Sequence, residues 1–126
     1  MVVVDSDVII WILRGDRQVA ERFKSTVVEN NGNVFVTPVQ MAEVFAGILP
    51  GEKAVVDNFF ESLEVLGIDE RSGMLAGEFL NKFRKAHGVT LADALIAAVA
   101  RINGCELWTR NRKHYPMFRE GDFYQE

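Results

Sequence analysis

The chain has 126 residues, 48% of them hydrophobic and 25% charged, with a net charge of −4. That is one domain of ordinary globular composition, long enough to bury a core without disulfides or a structural metal. The single cysteine, Cys105, excludes an internal disulfide and a zinc knuckle and reads as a small core residue. No stretch approaches the ~20 apolar residues that cross a membrane. The apolar start MVVVDSDVIIWIL lacks a basic residue before it and so fails as a signal peptide, which points to the cytoplasm.

In chain order, residues 1–4 are short, apolar and β-branched and predict a buried strand. Residues 16–29 predict an amphipathic helix, with Val19, Phe23 and Val27 four apart. The turn signal Asn30-Asn31-Gly32-Asn33 leads into a second strand at 34–36. Thr37-Pro38-Val39-Gln40 then opens a helix over 38–48 with a capping residue, a proline at the first helical position and glutamine three after the cap. Helices follow at 52–63 and 70–87, with a weaker strand at 64–68 between them. The helix predicted for 91–103 is apolar or small nearly all round and should be largely buried. Strands at 106–108 and, at an edge, 123–124 close the pattern.

Short buried strands alternating with helices predict an α/β fold: residues 1–126 as one domain, with a central parallel sheet of about five short strands flanked by helices. Ligands in such sheets bind beyond the carboxyl ends of the strands, at a topological switch point. That directs attention to the residues after each strand. Asp5 ends the first strand and Asp7 lies two residues on. Asp5 or Ser6 also suits a helix cap, which accounts for one acid there but not for two. Glu43 stands within two turns of the start of the helix at 38–48 and could equally be a surface glutamate. Asp93 has the spacing of a capping box with Thr90, yet it heads the most buried helix, where a cap would also fix the carboxylate. Thr109 and Asn111 stand after the strand at 106–108, beside Arg110, Arg112 and Lys113.

Carboxylates gathered at one sheet end, with no cysteine or well-placed histidine, suit a hard cation, Mg²⁺ or Mn²⁺, over Zn²⁺. Such a cation eases deprotonation of a bound water, and a phosphodiester is the natural substrate. Net acidity argues against nucleic-acid binding, but residues 107–119 carry Arg110, Arg112, Lys113 and Arg119 with no acid.

With these residues in view, the chain resembles the PIN-domain family, and within it the VapC toxins of prokaryotic toxin–antitoxin pairs. VVVDSDVIIWILRG resembles the first strand and first acid, TPVQMAEVFAGI the helix with the second acid, GVTLADALIAAVA the segment with the third, and LWTRNRKHYPMF the closing strand and loop. The resemblance runs from Met1 to Phe118, and order and spacing carry it more than any single motif. It implies a divalent-metal-dependent endoribonuclease with Asp5, Glu43 and Asp93 as catalytic acids and metal ligands. Asp7 would be a ligand or a neighbour of one, and Ser6, Thr109 and Asn111 would support the ligands. Arg110, Arg112 and Lys113 would hold RNA. It also implies a homodimer and a cognate antitoxin. One departure is Asn111, which stands where many relatives carry a fourth acid and supplies no charge to a second metal position. Tyr115 meets the family's frequent aromatic after His114.

Two other readings compete. A haloacid-dehalogenase-like phosphatase would use Asp5-Ser6-Asp7 and Thr37, with Asp69-Glu70 as the later acidic pair. A catalytically inactive PIN domain would bind RNA or a partner without cutting, which Asn111 permits. Five aromatics, Phe23, Phe59, Phe60, Phe79 and Phe83, exceed what the outer helices of a lone small domain need, so some are expected on a face covered by a partner.

Overall fold

A computed structural model describes every residue from Met1 to Glu126. Its elements are β1 (Val2–Val4), α1 (Ser6–Leu13), α2 (Arg17–Glu29), β2 (Val34–Val36), α3 (Pro38–Ala46), α4 (Lys53–Glu61), β3 (Glu64–Val65), α5 (Glu70–His87), α6 (Leu91–Ile102) and β4 (Glu106–Trp108). Short 3₁₀ turns follow at Arg112–His114 and Glu120–Asp122. The four strands form one parallel sheet in the order β3-β2-β1-β4. The chain moves outward from β1 through β2 to β3, then returns to place β4 on β1's other side. The crevice at the carboxyl ends of β1 and β4 is therefore the switch point of the sheet.

Alternation along the strands assigns the two cores. Val3, Phe35 and Leu107 face α5 and α6, with Tyr115, Met117 and Phe123 in the same cluster. Val2, Val4, Val34, Val36 and Trp108 face the other way, onto Val8, Ile9, Val19, Val44, Val56 and Phe60 of α1 to α4. The centre of α6 is wholly enclosed: Ala94 and residues 96–100 have no solvent exposure. Its small alanines let α5 pack closely against it. The helix starts are chemically fixed, by Thr37 and Gln40 in a capping box on α3, by Asp69 and Ser72 on α5 and by the Thr90 side chain on α6. Gly88, at φ 64°, ends α5 in the left-handed conformation that favours glycine.

Three expectations need adjusting. The fifth strand is not formed: Phe123 makes one parallel bridge to Leu107, because the turn at Glu120–Asp122 leaves only the Tyr124 N–H to reach the Leu107 carbonyl. The expected strand over 64–68 is reduced to Glu64–Val65. Exposed apolar area is also distributed differently. Phe60 and Phe79 are buried and Phe23, Phe59 and Phe83 half-buried, while Trp11, Val55, Leu49, Met74 and Leu91 are open to solvent. No helix is long and apolar enough to cross a membrane.

Candidate active site

Asp5 leaves β1 at the switch point, where its backbone N–H donates to the Trp108 carbonyl at 2.9 Å. Its carboxylate is buried and carries three donors. Oδ1 accepts from Ser6 N at 2.8 Å, and Oδ2 accepts from Thr109 Oγ1 at 2.8 Å and from Tyr115 Oη at 2.9 Å. The Ser6 bond is the cap of α1, so the cap and the site are one arrangement. A buried carboxylate needs this satisfaction.

Asp93 stands in the first turn of α6. Its backbone N–H donates to Thr90 Oγ1 at 3.1 Å, which holds the helix start and so the side chain's origin. Asp93 Oδ1 lies 3.3 Å from the same Tyr115 hydroxyl that Asp5 uses, and His114 Nδ1 stands 3.7 Å from Oδ2. Burial, then the Asp5 charge, pushes the Asp93 carboxyl above the usual aspartate range, against the pull of His114. Tyr115 is itself buried, its ring stacked on Phe118 at 6.0 Å between centroids. Burial and then the flanking Asp5 and Asp93 charges drive its phenol far above the ordinary tyrosine range, so it keeps its proton and stays a donor.

Glu43 arrives on α3, and a residue read from sequence only as part of a capping box decides its placement. Gln40 is fully buried. Its Nε2 donates to the Val4 carbonyl at 3.1 Å, and its Oε1 accepts from the Thr37 backbone N–H at 3.0 Å and from the Thr37 hydroxyl. The amide bolts the start of α3 to the end of β1, one residue before Asp5. Glu43, three residues on, lies on the same helix side. Partial burial, followed by the charges of Asp5, Asp93 and Asp7, raises its carboxyl, against an opposing pull from the Ser6 side chain. Its outer face remains open to solvent.

Asp7 has a different setting. Oδ1 accepts from Val8 N at 2.8 Å, and Oδ2 accepts from the Arg110 backbone N–H at 2.9 Å and from Asn111 Nδ2 at 3.2 Å. It ties the start of α1 to the loop after β4. Burial, then Asp5, raises its carboxyl in spite of these donors. Thr109 is the knot of that loop, donating to Asp5 and accepting from Asn111 N at 3.1 Å. Two of the three basic loop residues are engaged within the chain. Arg110 makes two bonds to Glu126, at 2.9 and 3.1 Å, and Arg112 bonds Glu120 at 2.6 Å and Gln125 at 3.1 Å. Lys113 is exposed and in no salt bridge.

The fold thus brings Asp5 and Asp93 onto one hydroxyl, with Glu43 and Asp7 near enough for their charges to be felt. No three acidic, histidine or cysteine side chains meet at a single ligating point. The carboxyls of Asp7, Glu43 and Asp93 are raised first by burial and then by the neighbouring acids. The parts required by a phosphatase are otherwise occupied: the Thr37 hydroxyl is buried against Gln40 and Val39 N, and the Asp69 carboxylate caps α5 through Ser72.

Comparison with known proteins identifies the family and the fold. The family model described as PIN domain matches residues 2–119. A relative from Mycobacterium tuberculosis named Ribonuclease VapC10 is 34% identical over 121 residues, spanning 95% of this chain and 90% of its own. Among solved structures, DNA-bound VapBC from Salmonella typhimurium superposes with a TM-score of 0.78 at 23% identity, over 90% of this chain and 89% of that one. FitAcB from Neisseria gonorrhoeae gives 0.70 at 25% identity, over 91% of each.

Proposed function

The chain belongs to the PIN-domain family, and on that premise we propose that it is an endoribonuclease toxin that depends on Mg²⁺ or Mn²⁺. The observation that carries the reading is the meeting of Asp5 and Asp93 on the Tyr115 hydroxyl beside Glu43, at the switch point of a parallel sheet.

The residues fit a hard cation. The donors are all carboxylate oxygens, Cys105 is in the α6 core cluster, and three acids have carboxyls raised by burial and mutual charge. Asp5, Asp93 and Glu43 would hold the ion, with Asp7 supporting them through the loop after β4. When bound, the cation would supply charge that makes a water easier to deprotonate and that offsets the growing charge on the phosphate. The chain's own residues do the rest. Ser6, Thr109 and Tyr115 fix the Asp5 carboxylate plane, so little reorganisation is needed on reaction. Glu43, open to solvent on one side, would hold the ion from the face that RNA and water can reach. Asn111, with its amide on Asp7, orients the loop and adds no charge, which favours a single cation.

Lys113 is the first phosphate contact. Arg110 and Arg112 join by exchanging Glu126 and Glu120 for phosphate, and exposed ion pairs of that kind hold by only about 1 kcal/mol or less. The superposable structures named VapBC and FitAcB, and another described as a toxin–antitoxin complex from Klebsiella pneumoniae, support a cognate antitoxin as partner. Trp11 and Ile10 on α1, with Leu49 and Val55 nearby in sequence around α4, offer apolar area for it. A homodimer would cover the apolar depression lined by Val39, Ala42, Ile68 and Leu91 beside Glu43.

The test is cleavage of a panel of structured and single-stranded RNAs by the purified protein, with Mg²⁺, with Mn²⁺ and with EDTA. Cleavage should need a cation and vanish in Asp5→Asn. Cleavage that persists in EDTA or in the variant would overturn the assignment, as would no cleavage of any RNA with either ion.

A further inference from the structure

We propose that Tyr115 is a positioning residue for the cation: its hydroxyl, shared between Asp5 and Asp93, holds the two carboxylates converged so that an ion can bind both. The inference rests on the metal reading above and goes beyond it, because an aromatic ring at this place needs no hydroxyl to fill the core.

Three observations support it. No other hydrogen bond links the two acids; Thr109 and Ser6 reach only Asp5, and His114 only Asp93. The ring cannot swing aside, since it is 1% exposed, stacked on Phe118, and lies in the cluster with Leu107, Met117 and Phe123. The two acids also come from distant parts of the chain, Asp5 after β1 and Asp93 in α6. Tyr115 is separated in sequence from them by 110 and 22 residues. The hydroxyl carries one proton, given chiefly to Asp5 at 2.9 Å with Asp93 at 3.3 Å as the weaker arm of a three-centre bond, and this shared proton is the one link that sets the spacing of the two like charges. Hydrogen-bond partners that orient ligands in this way typically change metal affinity about 10- to 100-fold when removed.

The experiment is calorimetric titration of Mg²⁺ and of Mn²⁺ into the full chain and into Tyr115→Phe, which keeps the ring and removes only the hydroxyl. Thermal melts with and without Mg²⁺ run alongside. The dissociation constant for Mg²⁺ should rise at least tenfold in the variant, and the stabilisation gained on adding Mg²⁺ should shrink. A role in packing alone would lower both melts equally and leave the dissociation constant unchanged. Binding within twofold of wild type, or tighter, overturns the proposal. If the wild type binds neither ion, the metal reading itself falls and the proposal with it. Should Tyr115→Phe not fold, NMR of the wild type decides. The chain has two tyrosines, and the Tyr115 hydroxyl proton should exchange slowly and shift on saturation with Mg²⁺. An unmoved resonance in Mg²⁺-bound protein also overturns the proposal.

Discussion

Replacing Asp93 with asparagine should make the metal-free protein more stable. Asp5 and Asp93 both touch the Tyr115 hydroxyl, at 2.9 and 3.3 Å. Their nearest oxygens are thus at most ~6 Å apart, and two unit charges at that distance and an effective dielectric of about 20 repel by about 3 kcal/mol. Part of this is lost on substitution. An acid in the first turn of a helix gains roughly 0.3–1 kcal/mol from the helix N-terminus, which Asp93 forfeits as an amide. Asparagine still accepts from Tyr115. The net gain should be about 1–2 kcal/mol, a rise of roughly 4–8 °C in Tm for a chain of this size. The assay is calorimetric melting in EDTA across pH. The sign follows from the raised Asp93 carboxyl. A carboxyl raised in the folded state costs stability above its folded pKa, and that cost disappears as pH falls to the unfolded value, about 3.9 for aspartate. The advantage of Asp93→Asn should therefore be full at neutral pH and should close in acid. Added Mg²⁺ should reverse the order, because it stabilises the wild type by binding only the native state. An Asp93→Asn variant that melts lower than wild type in EDTA at neutral pH would refute the electrostatic reasoning and leave Asp93 as an acid that only favours the first turn of α6.

Gln40→Ala removes the amide that joins the start of α3 to the end of β1, leaving the Val4 carbonyl and Thr37 N–H without partners and a cavity behind. Urea unfolding should show a loss of about 3 kcal/mol, and a loss under about 1 kcal/mol would mean the helix is placed by packing alone. Converting Arg110, Arg112 and Lys113 together to glutamine should weaken RNA binding and flatten its salt dependence, by about 0.7 in slope for each phosphate no longer neutralised. An unchanged slope removes the loop from the RNA path.

The fold was legible where pattern and chemistry agreed. Three consecutive valines could only be a buried strand, and Thr37-Pro38 and Thr90 marked helix starts found at those residues. α1 was visible only as a reason for Asp5 and Ser6 to be caps, since its apolar run merges with the strand before it. The carboxylates could be named from their positions after strands, but not their distances. Those depend on Gln40 and Tyr115, which read as a cap glutamine and as the aromatic that follows His114 in the family. A polar tip on a core residue carries no periodic signal; the partners that give it meaning, Val4 and Asp5, lie 36 and 110 residues away. The pairing of Arg110 with Glu126 was hidden for the same reason.

β1 sits inside the sheet, with β2 on one side and β4 on the other. β1 therefore waits, with one edge bare, for β4, which lies about a hundred residues further along the chain. Asp5 acquires Thr109 and Tyr115 only after residues 106–115 have been made. Contacts this distant in sequence are slow to close and form late. A growing chain of this protein on the ribosome has its first acid but neither of the hydroxyls that steady it, and it has no Asp93 until most of the chain exists. Timing is thus built into the topology: the carboxylate site cannot assemble on a growing chain until the residues through Tyr115 have emerged.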